Sequence, residues 1–431
     1  MLLVYTHKIT PRLNYIFKHF FVRILQIPVT FSTKVDEFVA HNGPKITYSK
    51  NPLGTEFFIR SNDLLFDQGI NDIDINIANW EEVPCFFPAG DISSIPFDIF
   101  AASFYLISRY EEYLPHVQDV HERFTADESL AFKNGFLEKP IVDIWAFKFL
   151  QLLKDKFPNY EYNTRDFEMI STIDVDTAFA FKHKGIVRTI GGYIADLFHL
   201  RFVNIWQRLL TNLNFREDPF DTFSEILKIK KEHNITTHFF FLIGDYTTFD
   251  KNISFSNAKF KSLIKSVADY AKIGLHPSYF SIRNDEKLKK EKLRLEGIIN
   301  TPIVFSRQHY LRLIIPETYQ NLIDLDIQED YTMGYAKYVG FRASTCTPFY
   351  FYDLDFEIQT PLKLFPFAVM DVTLKDYLQL SNSESLQKIV ALKNEVKDVN
   401  GTFISLFHNE TLSENEKWEG WSAIYKKMVI S

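Results

Sequence analysis

Asp174 and Asp176 stand one residue apart at the end of a strand-like run, Ser171-Thr172-Ile173-Asp174-Val175-Asp176-Thr177. The alternation that begins at Asp166-Phe167-Glu168-Met169-Ile170 is that of an extended segment, and the two carboxylates fall where such a strand gives out. Strand ends of this kind carry the chemistry of open α/β sheets and of barrels. Side chains two positions apart on a strand point the same way about 7 Å from each other, so a local bend brings both to one centre. One can then hold a cation while the other takes a proton. The same pair also suits a loop that caps the next helix, because aspartate is a favoured N-cap residue.

Other segments must decide between those two roles, and several place polar residues in the same kind of position. His276, Arg307, His309, Arg342 and His408 each follow an apolar extended run: Ile273-Gly274-Leu275, Ile303-Val304-Phe305, Tyr338-Val339-Gly340-Phe341 and Thr402-Phe403-Ile404-Ser405-Leu406-Phe407. A parallel barrel would deliver all of them to one face. Two carboxylates, two or three imidazoles and a guanidinium suit a divalent-metal hydrolase. Histidine nitrogen and carboxylate oxygen bind zinc, iron or cobalt in an open site, a second carboxylate takes the proton of the bound water, and another histidine protonates the leaving group. Each histidine also has a plainer reading. His276, before Pro277, can simply end a strand; His309 can bond a backbone carbonyl; His408 can be a core imidazole. His238, inside an apolar strand, reads as structural, and Cys346 as a small buried residue.

The elements that must position these residues alternate along the chain. Residues 1–160 read as a small α/β module, with β-like runs at Lys45–Tyr48 and Glu56–Arg60, a buried helix in the aromatic segment Ile95–Tyr110, and a second helix from about Pro140 to Lys154. His121-Glu122-Arg123-Phe124 is polar, either a surface loop or the rim of a groove. A turn-prone stretch at Phe157-Pro158-Asn159-Tyr160 marks the boundary. From 166 to 431, strand-then-helix units repeat: a helix opened by Asp218-Pro219, the buried strand Thr236–Gly244, and helices near Phe260–Tyr270, Asn284–Ile298 and Pro316–Leu325. Such repetition predicts an α/β fold built on a parallel barrel or sheet. The stretch from about 185 to 215 reads as a helical insertion that lids the site or packs on the first module.

Composition narrows the function classes. The 431 residues exceed one ordinary core, and 46% hydrophobic with 24% charged residues is the balance of a folded soluble protein. A net charge of −7 leaves no basic footprint for nucleic acid, and no Gly-rich phosphate loop follows any strand. Two distant cysteines, Cys85 and Cys346, imply neither a disulfide framework nor a thiolate metal site. No early cationic and apolar export signal is visible and no apolar run approaches the roughly 18 residues of a membrane span, so the expected location is cytoplasmic. The basic and aromatic stretch Arg12–Leu25 has a helical period that suits either packing on its own domain or peripheral contact with a membrane. Nothing in the sequence sets an oligomeric state.

Thr172-Ile173-Asp174-Val175-Asp176, then Thr237–Gly244, then Ile273-Gly274-Leu275-His276, and finally Ser405-Leu406-Phe407-His408 together resemble the NodB-homology polysaccharide deacetylases (carbohydrate esterase family four-like). More narrowly they resemble the branch found in Bacteroidetes-type bacteria with an uncharacterised N-terminal domain. The resemblance covers roughly residues 166 to 431, while Ile95–Glu111 and Gly135–Pro140 match the extra domain. It implies an irregular seven-stranded (β/α) barrel preceded by a smaller α/β domain, a divalent metal (zinc first, with iron, cobalt or nickel as alternatives), and removal of N- or O-acetyl groups from glycans. Carried over, Asp174 is the general base, Asp176 and His276 are metal ligands, and His408 is the general acid. Position 280 holds Phe where the family pattern has a second ligand histidine. Arg307-Gln308-His309-Tyr310 stands where the family has Arg-x-Pro-Tyr, which makes His309 the replacement ligand and leaves Arg307 or Arg342 to orient Asp174. The expected reaction is attack of a metal-activated water on an acetamide carbonyl, with His408 protonating the amine. The expected partner is an acetylated carbohydrate, met without export as a nucleotide- or lipid-linked intermediate. Rival readings are a non-catalytic glycan-binding or assembly module of the same fold and an amidohydrolase acting on a small non-sugar amide.

Overall fold

A computed structural model describes residues 1–431. Near the N-terminus, four parallel strands form a sheet in the order Val29–Ser32, Leu2–Tyr5, Lys45–Ser49, Phe57–Arg60. The helix that follows the first strand starts at Pro11, where the Thr10 side chain accepts the Leu13 N–H and proline occupies the first turn. It runs through Phe17 into a π-helical stretch, Lys18–Ile24. Leu13, Ile16, Phe17, Phe20, Phe21 and Ile24 are all buried, and Phe17 stacks on Phe100 at 3.8 Å. Of the two expectations for Arg12–Leu25, packing within the protein is the one observed, and the helix also reaches the later part of the chain, where Tyr15 Oη donates to the Tyr350 carbonyl at 2.7 Å.

The larger sheet has nine strands in the order Phe349–Asp353, Ile358–Leu364, Glu329–Asp330, Phe305–Ser306, Lys272–His276, Thr236–Leu242, Glu168–Val175, Thr402–His408, Val369–Met370. All its pairings are parallel except the first, which is antiparallel. Registers set His408 opposite Asp174 and His276 opposite Leu242, so the C-terminal ends of the central strands lie side by side. Both faces are covered. One lies on a continuous core of 96 buried residues, drawn from the N-terminal strands and helices as well as from this sheet. The other carries a separate cluster of 10, including Phe240, Tyr331, Phe365, Met370 and Ile404. Gly274 faces Phe240 across the strands, where a Cβ would stand 2.5 Å from the ring. The missing side chain lets that ring lie beneath the Arg307 guanidinium at 4.8 Å.

The structure departs from the sequence-based expectations at four places. The sheet is α/β and largely parallel, but it is not a closed barrel: its two end strands, Phe349–Asp353 and Val369–Met370, are not paired with each other. Tyr338–Arg342 is no strand, because its backbone is bonded elsewhere. Phe341 N–H donates to Leu137 O and Gly340 N–H to Ala368 O, both at 2.8 Å, with Gly340 at φ 122° against the Leu137 carbonyl. The run Ile303–His309 keeps only Phe305–Ser306 as strand, since Tyr310 and Leu311 turn the chain at positive φ. Asp218 does not cap a helix; its carboxylate gathers the N–H groups of Ala180, Phe181 and Lys182 at 2.6 to 2.9 Å, and the helix begins at Phe223. The stretch from about 185 to 215 forms two helices, Ile186–Phe198 and Phe202–Asn212.

Candidate metal centre

At the C-terminal ends of the central strands, one nitrogen each from His276 and His309 and one oxygen from Asp176 lie within 4.8 Å of one another. Each imidazole is aimed by what its other nitrogen touches. His276 Nδ1 lies 2.5 Å from the Arg307 carbonyl, an acceptor only, so Nδ1 carries the proton and Nε2 turns a lone pair toward Asp176 at 3.2 Å. His309 Nδ1 donates to Asp250 Oδ1 at 2.9 Å, leaving Nε2 at 3.4 Å from Asp176 Oδ2. His408 Nδ1 donates to Asp371 Oδ1 at 2.8 Å, with Nε2 at 3.9 Å from the same Asp176 oxygen. Three imidazoles held from behind thus surround one carboxylate.

Asp174 sits beside this set, its Oδ2 3.7 Å from His276 Nε2. Arg307 Nη1 donates to Asp174 Oδ1 at 2.9 Å and to Thr172 Oγ1 at 2.6 Å, while its Nε donates to the Tyr331 carbonyl. Arg307 is fully buried, so the guanidinium is fixed on three sides. Arg342 is not part of this site. Its guanidinium meets Glu112, with Nε at 2.9 Å and Nη2 at 2.5 Å from the two carboxylate oxygens, because the irregular 338–342 segment turns it toward the N-terminal module. The role offered jointly to Arg307 and Arg342 falls by position to Arg307. Phe280 is half exposed on the turn Tyr279–Ser281, away from the donor set, and the His309 ring centroid is the one found 5.0 Å from that of His276.

Electrostatics fit a cation. Burial opposes charge on His309 and His408, but flanking carboxylates outweigh it: Asp176 and Asp250 hold His309 up at about 9, and Asp371 holds His408 up at about 10. Burial would likewise raise Asp176, yet the neighbouring imidazoles keep it well below the usual carboxylate range. Asp176 Oδ1 is buried and accepts no hydrogen bond, and it lies among the Nε2 atoms whose opposite nitrogens are already committed. Two imidazole nitrogens and a carboxylate oxygen are a donor set that zinc, iron or cobalt accepts, with positions left open for water and substrate.

A cleft of about 350 Å³ opens over these residues, lined also by Phe249, Tyr310, Tyr377, Met370 and Leu406. Arg123 joins that lining and donates to the Tyr310 carbonyl at 2.8 Å, so of the 121–124 stretch Arg123 forms part of the rim. His238 is buried and structural in setting, with neither ring nitrogen bonded, and burial pushes it down to about 3. Asp250 and Asp371 were not anticipated. Asp371 follows the short strand Val369–Met370 and bears the same polar-after-apolar signal as the others; Asp250 lies in a loop with no pattern to mark it.

A family described as "Family of unknown function (DUF7033)" matches residues 2–158. No curated protein matches. Among solved structures, the chain is similar to a candidate polysaccharide deacetylase from Mycobacterium smegmatis, at 15% identity and a TM-score of 0.41, covering 63% of this chain and 85% of that one. It is also similar to a CE4 family pseudoenzyme from Bacillus anthracis, at 12% identity and a TM-score of 0.30 over 61% and 62% of the two chains. A third is the CE4 domain of a multidomain xylanase from the hindgut metagenome of Trinervitermes trinervoides, at 11% identity and a TM-score of 0.30 over 61% and 81%.

Proposed function

We propose that the chain is a divalent-metal-dependent hydrolase that removes acetyl groups, N-acetyl in the first instance, from a glycan or glycan precursor. The observation that supports this most is the convergence of Asp176, His276 and His309 within 4.8 Å, with Asp174 beside them and His408 Nε2 3.9 Å from Asp176. Asp176, His276 and His309 would hold the metal, which when bound supplies Lewis-acid polarisation of a carbonyl and an easily deprotonated water.

The chain's own groups account for the proton movements. Asp174, anchored by Arg307, takes the proton from the attacking water. His408 is imidazolium at neutral pH because Asp371 stabilises its charge, so it can deliver a proton to the departing amine nitrogen as the C–N bond breaks. Acetate and the free amine leave. Tyr310, Tyr377 and Phe249 give the cleft faces on which sugar rings stack, and Ala336, Met370 and Leu406 offer a dry wall for the acetyl methyl.

The test is acetate release by zinc- or cobalt-loaded protein from N-acetylglucosamine oligomers, O-acetylated glycans and small cyclic amides. Release from an acetylated sugar that stops in Asp174→Asn and His408→Ala, with metal content unchanged, is the expected result. Full metal occupancy with no release from any acetylated sugar would overturn the proposal.

A further inference from the structure

The helical hairpin of Ile186–Phe198 and Phe202–Asn212 is built inside out. Between its helices it buries an ion pair, with Arg208 Nη2 donating to Asp196 Oδ2 at 2.7 Å and the Arg208 guanidinium lying 5.5 Å from the Tyr193 ring. Thr211 is buried there too. Outward, the first helix turns Ile186, Val187, Ile190, Ile194, Leu197 and Phe198, spaced along one face at helical intervals. The second turns out Phe202, Val203, Trp206, Leu209 and Leu213, again one face. Val187 is 85%, Phe198 82% and Trp206 61% exposed. A hairpin evolved to face water would do the reverse, since each buried apolar side chain stabilises and each buried charge costs.

The charge around this face identifies what covers it. Residues 181–217 hold six Lys or Arg against two carboxylates, Asp196 and Glu217, in a chain whose net charge is −7. Asp196 is buried against Arg208, which leaves Glu217 as the exposed acid against the exposed Arg201 and Arg216 and the half-buried Lys182 and Lys184. An apolar face with Trp and Phe, flanked by an excess of cations, matches the interface of an anionic bilayer. Neither helix is long enough to cross one: no helix in the chain is long and apolar enough for that. We infer that this hairpin docks the protein flat on an anionic lipid surface, with its apolar face in the acyl boundary and its Lys and Arg among the headgroups.

The docked surface adjoins the cleft. Arg188, in the first helix, donates to the Lys251 and Asn252 carbonyls, both at 2.8 Å, and Lys251 with Phe249 lines the candidate metal centre. Those two hydrogen bonds tie the hairpin root to the cleft rim. Docking does not depend on the proposed reaction and is measured without it.

The full chain is mixed with vesicles of phosphatidylcholine containing about a third phosphatidylglycerol, and with phosphatidylcholine alone. Trp206 is the exposed reporter, because Trp80, Trp145, Trp418 and Trp421 are buried. The expected result is sedimentation with anionic vesicles, a blue shift of emission that Trp206→Phe removes, and weakening at high salt. A variant with Ile194→Ser, Leu197→Ser and Phe202→Ser, all outward-facing, should lose about tenfold or more in vesicle affinity while keeping its circular dichroism and melting temperature. A chain that stays in the supernatant with anionic vesicles overturns the inference. So does a solution dimer dispersed by the same serine substitutions, which would assign the face to a second copy.

Discussion

His309 donates from Nδ1 to the buried carboxylate of Asp250 at 2.9 Å, and that one bond aims its Nε2 at Asp176. A carboxylate behind a ligand histidine fixes the tautomer and strengthens the donor, and its loss typically weakens metal binding roughly 10–100-fold. Asp250→Asn removes the charge while its amide oxygen still accepts both the Tyr279 N–H and the His309 Nδ1–H, so the fold should be retained and zinc affinity should fall by about tenfold, the lower end of that range. Competition with a chromogenic chelator reads the change; an unaltered affinity would remove His309 from the ligand set.

Arg307 holds Asp174 and Thr172 from one guanidinium nitrogen while its Nε is spent on Tyr331. Arg307→Lys keeps the charge but not the fork, so Asp174 loses its position. The expected outcome is a kcat lower by roughly 100-fold, the cost of about 1 Å of misplacement, with metal content near that of the parent. Steady-state kinetics alongside elemental analysis separates the two effects.

His408 owes its raised value, about 10, to Asp371 against the downward push of burial. The imidazolium is the acid form, so it is present below that value and lost as pH rises through it. Asp371→Asn removes the main stabilising charge and moves the titration down toward the ordinary histidine value of about 6.5. Proton NMR of the metal-free protein should show the shift, and the alkaline limb of kcat should move the same way. His408→Ala should cost ~100- to 10,000-fold in kcat.

Glu112 lies buried between two guanidinium groups, 2.7 Å from Arg109 Nε and 2.5 Å from Arg342 Nη2. Burial would raise its pKa, yet Arg342 and Arg109 bring it down from 4.5 to about 2. A carboxyl lowered on folding contributes stability that is complete above its unfolded value and is lost as pH falls toward its folded one, here between about 4.5 and 2. Glu112→Gln should cost about 3–5 kcal/mol at neutral pH, because buried Arg342 loses its carboxylate partner and Arg109 keeps Glu111 alone. It should also flatten the stability loss across that acid window, as urea titrations at several pH values would show.

Much of the candidate site was legible in the sequence because a strand end leaves a local mark. An apolar run that stops at Asp, His or Arg can be read without knowing its neighbours, and Asp174, Asp176, His276, Arg307, His309 and His408 were all found that way. Arg342 bore the same mark and misled, since its segment bonds to Leu137 and Ala368 instead of to a strand. Asp250 bore none; a loop carboxylate becomes a partner only when the fold carries it 59 residues along the chain to His309.

Alternation, apolar periodicity and the count of strand-helix units, all properties of neighbouring residues, settled from sequence alone that this is an α/β chain with polar side chains gathered at its strand ends. Only tertiary structure decided that the sheet stays open, that Arg307 and not Arg342 reaches Asp174, and that the hairpin of 186–212 turns its apolar faces outward. Periodicity says that a helix has an apolar side; what that side meets depends on the direction in which distant segments pack, and no local pattern encodes it.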